Sequence, residues 1–217
     1  MKLALAGGGS ALDSAFIDQR FAEWIGPKGK MLYLPIAIGR ITANYDAADQ
    51  WLRSVFEPMG VESISTWTDL TRHTVSEFEY YDGIYMGGGN AYTLRHELQS
   101  TGFFEAIKCY AANGYPIYGG SAGAAVLGKS IATVAHLDVN EKGIRDLTGL
   151  NLAEGCSVWV HYREADRPLI QNFISGESAR LILLSERAGL TIEDGEFRSE
   201  GTDPVYIVDQ DHWKVIT

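Results

Sequence analysis

The sequence predicts an α/β protein with a mostly parallel sheet, covered on both faces by helices and finished by antiparallel hairpins. Short apolar runs alternate with longer amphipathic stretches, the pattern of strands joined by helical crossovers. Three of the apolar runs, ending at Ala6, Met86 and Tyr118, lead into glycine-rich turns. Near the C-terminus, short runs instead face each other across tight polar turns.

The elements follow in order. Leu3–Ala6 reads as a buried strand stopped by Gly7-Gly8-Gly9. Ser14 to Trp24 reads as a helix, with Phe16, Ile17, Phe21 and Trp24 near helical spacing and Gly26-Pro27 ending it. Met31–Leu34 is a strand closed by Pro35. Asp46 to Met59 is a helix with Trp51, Leu52, Val55 and Phe56 on one side, ended by Gly60. Val61–Trp67 and Gly83–Met86 are strands, the latter running into Gly87-Gly88-Gly89. Tyr92–Leu98 and Phe103–Ala112 are helical, and Pro116–Tyr118 is a short strand. Val158–Val160 and Leu181–Leu184 read as further core strands with a helix, Pro168–Ile174, between them. Asp194-Gly195 marks a hairpin within Thr191–Phe197. Val205–Val208 and Trp213–Ile216 flank a second one. No repeat or linker interrupts residues 1–217, which read as one domain.

The chain has 217 residues, 46% hydrophobic and 21% charged, which suits a globular protein with a sizeable core. Its formal net charge of -10 makes nucleic acid and anionic membranes poor partners. The N-terminal apolar run is too short for a signal peptide and no segment reaches transmembrane length, so a cytoplasmic location is expected. Cys109 and Cys156 have no metal-ligand spacing and read as buried, reduced thiols. No cluster suggests a metal, and no cofactor is expected. Five tryptophans and eleven tyrosines leave room for a homo-oligomeric interface.

Gly119-Gly120-Ser121-Ala122-Gly123 fits G-x-S-x-G, set between an apolar strand and a small-residue helix start. Such a corner lifts a serine hydroxyl clear of the sheet while glycines permit the strained backbone. Ser121 is therefore the candidate nucleophile, and the N–H of Ala122 a natural donor to an oxyanion. A second donor is needed. Gly87-Gly88-Gly89-Asn90, at a strand end opening a helix, can supply it. Gly7-Gly8-Gly9-Ser10 should line the same site. Either turn could instead hold a phosphate, although no Walker-type lysine follows.

The serine needs a base. Among His73, His96, His136, His161 and His212, His161 fits best. It ends an apolar strand and follows the serine in chain order. His136, in a loop soon after the nucleophile helix, is next. Asp138, Glu141, Asp146, Glu164 and Glu186 all qualify by position as the acid that orients the imidazole, and spacing does not choose among them.

Gly87-Gly88-Gly89-Asn90, Gly120-Ser121-Ala122-Gly123-Ala124 and Val160-His161-Tyr162 together resemble the dipeptidase E (aspartyl dipeptidase) family, over Lys2 to about Gly195. The resemblance implies a three-layer α/β/α fold akin to class I glutamine amidotransferases. It implies Ser121 as nucleophile, His161 as base, and N–H groups around Gly89 and Ala122 as the oxyanion hole. It places the acid in the loop before His161, where Asp138 matches best and Glu141 next. Gly88 and Asn90 would then line the substrate site, and Arg40 or Arg163 could pair with an aspartyl carboxylate. The expected activity is serine peptidase hydrolysis of small peptides, dipeptides with an N-terminal aspartate first among them, through an acyl-enzyme. A cyanophycinase-like or other small amide or ester hydrolase is the alternative. A glycine-loop module binding a nucleotide or phosphate is the alternative of another class.

Overall fold

A computed structural model describes the chain except at residues 40, 41, 178, 211 and 217, so Arg40 lies outside the described residues. In chain order the elements are β1 (Lys2–Ala6), α1 (Ala15–Ile25), β2 (Lys30–Leu34), α2 (Thr42–Phe56), β3 (Ser63–Thr66), β4 (Gly83–Met86), α3 (Ala91–Thr101) and α4 (Phe103–Ala112). There follow β5 (Pro116–Gly120), α5 (Ala122–Leu127), β6 (Ser157–Trp159), α6 (Arg167–Glu177), β7 (Leu181–Leu183) and β8 (Gly189–Glu193). The chain closes with β9 (Glu196–Ser199), β10 (Val205–Val208) and β11 (Trp213–Ile216). No helix among the described residues is long and apolar enough to cross a membrane.

The main sheet has the order β3-β2-β4-β5-β1-β8-β9. Its first five strands are parallel, and β8 and β9 add an antiparallel edge beside β1. Successive side chains on a strand point to opposite faces, and these strands are apolar on both. Ala4, Ala6, Met31, Tyr33, Tyr85 and Tyr118 pack with Ile17 and Phe21 of α1 and with Leu52 and Phe56 of α2. Their neighbours Leu3, Leu5, Leu32, Leu34, Ile84, Met86 and Ile117 pack with α3, α4 and α5 on the other face. The result is the three-layer α/β/α arrangement. It sets the carboxyl ends of β4, β5 and β1 side by side, with Met86 level with Gly119 and Ala6 level with Gly120. The three glycine-rich turns therefore converge on one edge, where open α/β sheets carry their sites.

Three expectations need correction. The runs at Val158–Val160 and Leu181–Leu184 do form strands, but in a second, four-stranded sheet of order β11-β10-β7-β6. A run of apolar residues specifies burial, not which sheet it joins. Cys156 is buried, whereas Cys109 is exposed. It falls between the positions that α4 buries, Ile107 and Tyr110. On α1 the buried face is Ile17, Asp18, Phe21, Ala22 and Ile25, and Phe16 points outward, 59% exposed. Helical spacing alone left the phase of this helix open. The packing turns a carboxylate inward where an aromatic ring was expected.

Candidate active site

Ser121 stands at the corner between β5 and α5, with φ 48° and ψ -108°. A residue with a side chain held there costs about 1–3 kcal/mol, and such strain persists only where the surroundings enforce it. Here the Ser121 N–H donates to the Ala6 carbonyl at the end of β1 (3.0 Å), and the Ser121 carbonyl accepts from the Ala125 N–H (3.0 Å). Both backbone groups are thus fixed, and the hydroxyl is left to the cleft.

His161 follows β6 and also has a positive φ, 53°. Its N–H donates to the Gly7 carbonyl (3.1 Å). The imidazole occupies the space a side chain on residue 8 would need. A Cβ built on Gly8, itself at φ +127°, would lie 2.2 Å from His161 Cε1. The ring reaches the serine, with Ser121 Oγ 2.8 Å from His161 Nε2. On its far side, His161 Nδ1 lies 3.2 Å from Glu186 Oε1. An Nδ1–H donating to Glu186 leaves Nε2 as the acceptor for the serine proton, the tautomer a general base requires.

The carboxylate on the imidazole is therefore Glu186, where the resemblance pointed to Asp138. Asp138 Oδ2 instead accepts the N–H of Ala91, the first residue of α3, at 2.7 Å. Burial raises the Asp138 pKa, while the Ala91 N–H and nearby His161 pull it back. Its carboxylate lines a small cavity of about 160 Å³ with Ser121, Ala122 and His161. The other candidates are engaged elsewhere. Asp146 pairs with Arg95 and Glu164 with Arg167. Glu141 lines a separate cavity with Asp69 and Glu97. Position in the sequence makes Glu186 one of five candidate acids, and strand register singles it out. Parallel β6 and β7 align Trp159 with Leu183, so His161 comes level with Ser185 and Glu186 follows.

The N–H groups of Gly88, Gly89 and Ala122 make no hydrogen bond among the described residues, and these residues line the two cavities that touch Ser121. They are available to a negative oxygen. Gly89 has φ +130°, and a Cβ there would lie 2.3 Å from the Ala37 carbonyl oxygen, so the turn presses directly onto that peptide. Asn90, expected to line the substrate site, is committed to the scaffold. Its Oδ1 caps α3 through the Thr93 N–H (2.9 Å), and its Nδ2 donates to the Val139 carbonyl (2.9 Å). Asp138 and Asn90 together tie the loop that contains residues 138 and 139 to the glycine turn.

Two larger cavities open beside the pair. One, of about 310 Å³, lies over Ser121 between Gly8 and Gly88, with Ser14, Tyr33, Trp51, Tyr85 and Tyr118 in its walls. Beneath it, fully buried Asp18 accepts from the Ser14 hydroxyl and the Tyr118 hydroxyl, both at 2.7 Å. Burial raises the Asp18 pKa to about 6 against the pull of those two hydroxyls. The other, of about 580 Å³, lies beyond the imidazole and is lined by Asp13, Arg163, Glu186, Arg187 and Asp203 among others. Arg187 pairs with Asp203 at 2.9 Å. The Arg163 guanidinium has no ion pair among the described residues and faces a cavity that touches His161 but not Ser121.

The remaining histidines have other surroundings. His136 stacks on Trp159, and His73 stacks on Trp67 and meets Glu77. Among the described residues, no three His, Cys, Asp or Glu side chains gather in a group suited to a metal ion.

A serine, histidine and glutamate in line beside free N–H groups is a constellation known from hydrolases on several folds. Comparison with known proteins narrows it. The sequence model of peptidase family S51 matches residues 3–200. The chain belongs to peptidase family S51. Peptidase E of Nostoc sp. is 26% identical over 188 residues, covering 82% of this chain and 75% of the relative. The pyridoxal 5'-phosphate synthase subunit PdxT of Geobacillus sp. is 30% identical over 102 residues, 47% of this chain and 48% of that one. Among solved structures, a peptidase from an acI-B1 Actinobacterium superposes with a TM-score of 0.77 at 21% identity, covering 100% of this chain and 93% of that one. The S51 chain thus has the fold that the resemblance implied.

Proposed function

We propose that this S51 protein is a serine-type peptidase that cleaves short peptides through an acyl-enzyme on Ser121. The observation that carries this reading is the 2.8 Å pairing of Ser121 Oγ with His161 Nε2, in line with the 3.2 Å pairing of His161 Nδ1 with Glu186. Ser121 Oγ attacks the scissile carbonyl carbon as His161 Nε2 takes the hydroxyl proton. The carbonyl oxygen becomes an oxyanion held by the N–H groups of Ala122 and Gly89 or Gly88. The C–N bond then breaks, His161 returns the proton to the departing amine, and an ester on Ser121 remains. Water, deprotonated by His161, attacks that ester, and its cleavage restores the Ser121 hydroxyl. Glu186 stabilises the imidazolium in both halves.

The acyl group is bonded to Ser121, so its side chain must occupy a cavity that touches that residue. The cleft over Ser121 is the roomier of the two that do, at about 310 Å³ against about 160 Å³. The leaving residue departs on the imidazole side, toward Arg163. That guanidinium suits the terminal carboxylate of a dipeptide. A preference for N-terminal aspartate would require the aspartyl carboxylate to reach a cation, and the described cations lining a cavity beside the imidazole are Arg163 and Arg187, of which Arg187 is paired with Asp203.

The test is dipeptide hydrolysis by the wild type and by Ser121→Ala, with fluorophosphonate labelling of both. Turnover and labelling that vanish together in the variant are expected. Turnover that persists in Ser121→Ala would overturn the mechanism.

A further inference from the structure

The cleft over Ser121 has a chemistry the peptidase reading leaves unused. Its walls hold three tyrosines and a tryptophan, and none of the described residues lining it is lysine or arginine. Tyr85 stacks on Tyr118, with ring centroids 4.3 Å apart, and Tyr33 meets Tyr85 edge to face at 5.5 Å. The Tyr118 hydroxyl is committed to Asp18. The Tyr33 hydroxyl makes no hydrogen bond among the described residues, although the residue is only 2% exposed. It stands directly behind the first glycine of the oxyanion turn, where a Cβ on Gly87 would lie 3.1 Å from it. The oxygen is not sealed off, since among the described residues the enclosed side-chain polar atom without a partner is Trp159 Nε1, so the cleft leaves the Tyr33 hydroxyl open to a ligand group. Here the opening beside it faces the reacting serine.

Charge decides what can enter. A carboxylate in this cleft would lose its water with no described cation to replace it, above a carboxylate already buried in Asp18. Burial also raises the pKa of Tyr33, so its hydroxyl is neutral and offers both a proton and lone pairs. An aromatic ring would meet the edges and faces of Tyr33, Tyr85 and Trp51 in the offset and edge-on arrangements that rings favour.

Resting on the acyl-enzyme reading above, we propose that this cleft is the specificity pocket for the acyl residue. It selects an uncharged aromatic side chain, with Tyr33 donating to or accepting from a hydroxyl at the ring's end, and it disfavours aspartate.

The test compares kcat/KM for Phe-Leu, Tyr-Leu, Asp-Leu and Lys-Leu, measured as released leucine. The aromatic peptides should lead Asp-Leu and Lys-Leu by about tenfold or more, the scale of discrimination that pocket contacts give. Tyr33→Phe should lower Tyr-Leu more than Phe-Leu, shrinking their ratio by about threefold to tenfold. The affinities of the same peptides for Ser121→Ala, read by calorimetry, should keep the aromatic order. An aspartyl peptide turned over as well as Phe-Leu would overturn the pocket and leave the peptidase reading intact, and so would a leading Lys-Leu. Absence of all turnover, with aromatic preference retained in Ser121→Ala, would sink the peptidase reading and leave the pocket standing. Equal binding of Phe-Leu and Asp-Leu to Ser121→Ala would remove the pocket in either case.

Discussion

His161 and Glu186 meet across the ends of two paired parallel strands, Nδ1 to Oε1 at 3.2 Å, while Asp138 holds the N–H of Ala91 at 2.7 Å. The two carboxylates therefore have separable roles. In the proposed mechanism Glu186 orients the base. Its side chain is 61% exposed, so solvent softens its electrostatic part. Glu186→Gln should lower kcat by about 10- to 100-fold with KM little changed, because the interaction strengthens as the imidazole becomes charged. Steady-state kinetics on a dipeptide substrate would show the split. A rise in KM at constant kcat would place Glu186 in substrate binding instead.

In the same proposed mechanism Asp138 acts one step further from the chemistry, through its bond to the Ala91 N–H just after the turn that carries Gly88 and Gly89. Asp138→Asn keeps an oxygen for the Ala91 N–H and should retain most activity. Asp138→Ala leaves that N–H unpaired in a half-buried place and should cost about tenfold or more in kcat. If Asn and Ala were equally damaging, the negative charge would matter in its own right and Asp138 would belong to the catalytic group.

The contact between Gly8 and His161 is a purely steric requirement. A Cβ at residue 8 would lie 2.2 Å from His161 Cε1, on a backbone with φ +127°. Gly8→Ala should push the imidazole off the serine and reduce turnover by about 100-fold or more, since small misplacements of a catalytic group are that costly. Fluorophosphonate labelling of Ser121 should fall in parallel. Unchanged labelling would mean that His161 is not the group activating Ser121.

The contrast between Glu186 and Ser121 shows where sequence stops being informative. Ser121 announces itself locally, because a strand, glycines and a small-residue helix start must be contiguous to build that corner. The pairing of His161 with Glu186 depends on β6 and β7 lying parallel in register, a long-range fact that no local pattern records. The alternation of strands and helices was readable because both faces of the sheet are buried. The second sheet was not, since Leu181–Leu183 is equally apolar in either one. Asp18 was invisible for a different reason. The apolar residues of α1 fit more than one helical phase, and only contact with Tyr118 and the sheet selects the phase that buries the carboxylate.

That buried carboxylate sets a dependence of stability on pH. Asp18 has a folded pKa raised from 3.8 to about 6, because burial outweighs the hydroxyls of Tyr118 and Ser14. Between these two values the unfolded chain has lost the proton and the folded chain keeps it. Stability therefore falls as pH rises through that window, and the ionised form is the less stable above it. The size is about 3 kcal/mol, at 1.36 kcal/mol for each unit of difference. Asp18→Asn removes the ionisation while leaving an amide to meet Ser14 and Tyr118. Urea denaturation of both proteins from pH 4 to pH 8 should show the wild type losing stability relative to the variant as pH rises, most steeply between about pH 4 and 6. Parallel pH profiles for the two proteins would mean that Asp18 ionises in the folded state as readily as in the unfolded one. Its burial beneath the tyrosines would then have no electrostatic cost to explain.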